Sequence, residues 1–184
     1  MARAAQTPGI RPRLTLGRRL DIAARHAFPA GCTVLLMLLT ETPFGIADQA
    51  TLLPAVTLTC VYFWSLFRPD AMPPPVVFLI GLLFDLLGYL PLGVGPLTLL
   101  VVHGLVLRWQ RLLTTQGFGF GWLAFAGFAA AAAALGWTLT SVLSFRLLPL
   151  GPALFEALLA AALYPALAIL FIRAHRTVAD PERA

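Results

Sequence analysis

Phe78-Leu-Ile-Gly-Leu-Leu-Phe-Asp-Leu-Leu-Gly-Tyr-Leu-Pro-Leu-Gly-Val-Gly95 is the stretch on which the reading of this chain turns. It is an apolar run long enough to enter a bilayer, with one acid, Asp85, near its middle. Gly81 lies four residues before Asp85 and Gly88 three after it, so on a helix all three share one stripe. A carboxylate facing lipid costs roughly 2.5–3.5 kcal/mol on insertion scales, so this one is expected to face protein or water. Glycines on the same side let another helix come close. Pro91-Leu-Gly-Val-Gly-Pro96 then ends the helix and turns the chain back.

Composition widens this to the whole chain. The 184 residues are 59% hydrophobic and 11% charged, against about 25% charged in an average soluble domain. The expected class is an all-α integral membrane protein without a separate soluble domain. All 13 basic residues are Arg, and six of them precede residue 26. So apolar a chain argues against nucleic-acid binding, and a basic tail against anionic membrane lipid accounts for the cluster. Cys32 and Cys60 lie in apolar runs and read as ordinary thiols. Pro-Ala-Gly-Cys at 29–32 fails as a lipoprotein signal, because the apolar run follows the cysteine.

The chain divides into a cytoplasmic Arg-rich tail (1–26), a six-helix transmembrane domain (27–172) and a cytoplasmic tail (173–184). Leu16 to His26 reads as a short amphipathic stretch on the membrane surface. The first helix is expected over Phe28–Leu39, extending at most to Ile46. The second is expected over Thr51–Phe67, with Tyr62 and Trp64 at the membrane interface. Three prolines, Pro73 to Pro75, separate it from the third, which starts near Val76. The fourth is expected from Pro96 to Leu107, followed by Arg108 and Arg111. After a Gly-rich turn at 114–121 comes the fifth, Trp122–Leu143. Its pairs Gly127/Ala131 and Ala132/Gly136 are either close-approach sites or plain alanine-rich sequence. The sixth is expected over Ala153–Ile172, with Glu156 in its first turn and a kink at Pro165. Six spans place 12 of the 13 arginines on the side of both termini and only Arg146 opposite, which sets the termini in the cytoplasm. A five-span chain would break that alternation.

Asp85 and His103 are each nine residues from Val94, so two helices meeting there would hold them at one depth, about 13 Å below the turn. An acid–imidazole pair is the expectation, acting as a proton or ligand site or as a polar clamp between helices. The clamp has the better support, since no further polar residues converge on these helices and proton relays use chains of ionisable groups. Glu41, Asp48, Arg146 and Glu156 fall on the outer side, where ion pairs at the rim are expected to be weak. No metal-ligand spacing, cofactor motif or nucleophile–base arrangement is present, and Gly93-Val-Gly95 lacks the strand and Lys of a nucleotide loop.

Tyr62-Phe-Trp-Ser-Leu-Phe-Arg-Pro69, Phe78 to Gly88 and Pro91-Leu-Gly93 together resemble the bacterial rod-shape-determining membrane protein family MreD. Trp122 and Tyr164-Pro165 are also similar, and the likeness runs over residues 25 to 175, most specific in the Gly81-x-x-x-Asp85 segment that ends in Pro91-Leu-Gly93. The resemblance implies a non-enzymatic, multi-pass protein of the bacterial cytoplasmic (inner) membrane. It implies work beside MreC, MreB, RodZ, RodA and its transpeptidase partner in lateral peptidoglycan synthesis. It also implies a six-helix fold similar to the substrate-binding subunits of energy-coupling-factor transporters, and no cofactor. Gly81, Asp85, Gly88 and Gly93 match the motif and carry a structural or coupling role, with His103 the further candidate. The competing class is a substrate-binding membrane subunit of a vitamin-type transporter, which needs a polar pocket opening outward.

Overall fold

Proline sets the clearest boundary in the chain. Pro73 is extended (φ −65°, ψ 156°) and Pro74 takes the first position of a helix, where its missing N–H has no partner to lose. The computed structural model describes residues 16–42, 51–115 and 117–179. Among the described residues there are six α-helices, α1 (Leu16–Glu41), α2 (Leu52–Phe67), α3 (Pro74–Leu87), α4 (Val94–Thr115), α5 (Phe118–Leu143) and α6 (Leu150–Ala179). A 3-10 turn at Pro69–Ala71 joins α2 to α3, and no strand occurs among the described residues.

The order and number of helices are as expected, but several limits move. α1 is continuous from Leu16, so the stretch expected on the membrane surface belongs to the first helix, and Pro29 lies inside it. The expected continuation towards Ile46, with Asp48 beyond it, lies outside the described residues. α4 runs past Leu107 to Thr115, which places Arg108 and Arg111 on the helix, both exposed. α5 begins at Phe118, so Gly119 and Gly121 are helical and the Gly-rich turn shrinks. α6 begins at Leu150, which puts Glu156 in the second turn, not the first.

α2 is the centre of the bundle. It packs against α1, α3, α4 and α6, and from Ala55 to Leu66 every residue is buried. A helix apolar on all sides is stable only when surrounded. Tyr62 and Trp64, expected at the membrane interface, are fully buried instead. The Tyr62 ring meets Phe125 at 4.9 Å and Tyr164 at 5.7 Å, edge to face. Trp64 meets Phe28 at 5.9 Å and Phe171 at 5.4 Å. α3 and α4 form one hairpin and α5 and α6 another, with α4 against α5.

α5 and α6 are long and apolar enough to cross a membrane, over Gly119–Leu143 and Leu150–Arg173. Only 28% of each apolar window is buried inside the protein. A core helix of a soluble protein would bury most of it, so these helices turn apolar surface outward. The apolar helices His26–Glu41, Leu52–Phe67 and Pro74–Leu87 are shorter.

Candidate functional site

Asp85 is the organising residue of the α3–α4 hairpin. It lies two residues before the end of α3 and is 1% exposed. Its main-chain carbonyl accepts from the Leu90 N–H at 3.1 Å. Its Oδ2 accepts from the Gly93 N–H at 2.6 Å and its Oδ1 from the Gly95 N–H at 2.7 Å. One residue therefore holds three points of the connection. The carboxylate also satisfies amides at the start of α4, which have no partner within their own helix, and its charge suits the positive end of the helix dipole.

The glycines of this stretch do different things. A Cβ on Gly81 would stand 2.5 Å from the Pro96 Cα and 2.6 Å from its N, so α3 and α4 touch backbone to backbone there. A Cβ on Gly95 would stand 2.5 Å from Asp85 Oδ1 and 2.6 Å from the Gly81 carbonyl oxygen. Gly93 has φ +105°, a conformation open to glycine and strained for other residues. Gly88, expected on the close-approach stripe, is an exposed cap of α3 at φ −82°. The left-handed residue that ends this helix is Tyr89, at φ 51°. Gly81, Asp85 and Gly93 thus come together with Gly95, and Gly88 does not join them.

His103 is not the partner of Asp85. The expected match in depth assumed that both helices run to Val94, but α3 stops at Leu87. The connection folds back so that Asp85 bonds Gly95, eight residues before His103, or about 12 Å along α4. His103 instead reaches α2, where Ser65 Oγ lies 2.7 Å from its Nδ1. Its Nε2 is buried without a partner among the described residues. Ser65 is one of three buried Ser and Thr residues of α2, and the sequence does not set it apart from Thr57 and Thr59, which bond their own helix.

Trp122, a residue of the resemblance, reaches across from α5 to α6. The Trp122 indole N–H donates to the Ala161 carbonyl at 2.8 Å. In a regular helix that carbonyl would accept from residue 165, which is Pro165 and has no N–H. The indole replaces the bond that the proline removes. Gly127 and Gly136 have nothing within 4 Å of a Cβ position, so neither mediates a close approach.

Gly136 instead lines a partly open cavity of about 240 Å³. Its wall takes Pro54 and Leu58 from α2, Thr98 and Leu99 from α4, Ala132 and Ala133 from α5 and Glu156 from α6. Glu156 is the one charged residue in that wall, and its carboxylate has no partner among the described residues. Thr98 Oγ1, in the same wall, is also without a partner. The ion pairs expected among Glu41, Arg146 and Glu156 do not form, and Asp48 lies outside the described residues. Among the described residues no three His, Cys, Asp or Glu side chains are placed to hold a metal. No family model matches the chain, and no curated protein or solved structure matches it.

Proposed function

We propose that this chain is a non-enzymatic, multi-pass component of the bacterial cytoplasmic membrane. On this reading it serves the cell-elongation machinery, binding MreC and coupling to MreB, RodZ, RodA and the elongation transpeptidase to maintain rod shape. The carrying observation is the use to which Asp85 is put. The most specific residues of the MreD resemblance, Gly81, Asp85 and Gly93, form a joint that fixes one helical hairpin. Both carboxylate oxygens are occupied by backbone amides, which is the work of a structural element. Six spans with both termini inside are supported by the arginine distribution. The short α2 is enclosed by other helices and need not match the bilayer by itself.

Purification of the full chain from its own membrane in mild detergent, with mass spectrometry of what accompanies it, tests the reading. MreC and wall synthases in stoichiometric amounts are the expected result. An ATPase module or a vitamin-like ligand, with MreC absent, would replace it by the transport reading. The cavity is the one observation on the side of transport, and a wall this apolar fits a vitamin poorly.

A further inference from the structure

The cavity between α2, α4, α5 and α6 has a feature that packing does not explain. Its wall is largely aliphatic and aromatic, yet Glu156 contributes a carboxyl group that nothing among the described residues pairs. Thr57 and Thr140 bond their own helices, at Leu53 and Gly136, and the Trp137 indole bonds the Leu148 carbonyl. Those polar groups of the wall are satisfied. The Thr98 hydroxyl is buried without a partner among the described residues, and the Glu156 carboxyl group, which is half-buried in the wall, has none there either. Among the described residues no Arg lines the cavity, and Arg146, the basic residue of the same end, has no bond to Glu156. A carboxylate in apolar surroundings is costly unless a cation meets it.

We propose that this cavity binds a compound with a primary ammonium group on an apolar body, the ammonium pairing with the Glu156 carboxylate. The ammonium has three N–H donors and no acceptor, so it suits a wall that offers oxygens and no cation. Size sets the body. An apolar cavity of roughly 150 Å³ accepts a benzene ring, so about 240 Å³ takes a ring with a short chain. The primary ammonium is shared by a soluble hydrophobic amine and by the headgroup of an ethanolamine phospholipid, whose apolar part is its acyl chains, beyond the phosphate. The inference is independent of the partners proposed above.

The test uses the full chain in phosphatidylcholine nanodiscs, with 2-phenylethylamine as the probe and empty nanodiscs as the blank. Calorimetric titration is expected to show saturable one-site binding. Glu156→Gln is expected to weaken it at least tenfold, and 2-phenylethanol to bind at least tenfold more weakly than the amine. Glu156→Gln should melt at or above the wild-type temperature without ligand, since it removes an unpaired acid. Ala153→Phe, at a half-buried position of the wall, is the second variant and should abolish binding of both probes. Exchanging the nanodisc lipid for phosphatidylethanolamine separates the sources. A fall in apparent affinity of threefold or more supports the lipid headgroup, and an unchanged affinity supports a soluble amine. Equal binding by wild type and Glu156→Gln, equal binding of amine and alcohol, or no saturable binding overturns the proposal.

Discussion

Asp85 shows how much one side chain can fix. Asp85→Asn keeps the shape but replaces one acceptor oxygen with an NH2 group facing a backbone N–H. The expected loss is about 2–3 kcal/mol, because a buried donor is left unsatisfied. Reversible denaturation in a defined detergent measures it. Paired with His103→Gln, the two losses should add within about 0.5 kcal/mol, since the residues have different partners. A coupling above about 1 kcal/mol in that cycle would restore the acid–imidazole pair. Glycine substitutions should divide the same way. Gly81→Ala pushes a methyl group into the Pro96 backbone and is expected to cost about 3 kcal/mol. Gly104→Ala meets nothing within 4 Å and should gain about 0.5–1 kcal/mol through helix propensity.

Between elements, the Trp122–Ala161 bond predicts a dependence on Pro165. Trp122→Phe keeps the ring and removes the donor, at an expected cost of about 1 kcal/mol. In a Pro165→Ala background the helix can supply its own N–H to Ala161, so most of that cost should vanish. An undiminished cost, in the same denaturation assay, would show that the indole acts through packing alone. The helix limits carry a similar lesson. α4 was expected to stop at Leu107 because Arg108 and Arg111 follow, yet it continues for two further turns. Arginine is a good helix former, so a change of polarity does not end a helix. Proline does end one, and the boundary before α3 was legible for that reason.

For the whole molecule, the arginine distribution makes a topological prediction. A membrane-impermeant maleimide should label Arg146→Cys in intact cells, and Arg108→Cys only after the membrane is opened. The reverse pattern would sink the orientation. The native thiols interfere little, as Cys60 is buried and Cys32 half-buried. Six helices, their order and the apolar character of the chain were determined by the sequence. These depend on periodicity, proline and composition, which are properties of neighbours along the chain. The central place of α2, and with it the burial of Tyr62 and Trp64, came only with the packing. The same is true of the partners of Asp85 and His103, and of the cavity that holds Glu156. A hydrogen bond or a void depends on where a distant segment comes to rest. The turn after Leu87 folds back by several residues, and that displacement alone moved Asp85 from a histidine to the backbone of Gly93 and Gly95.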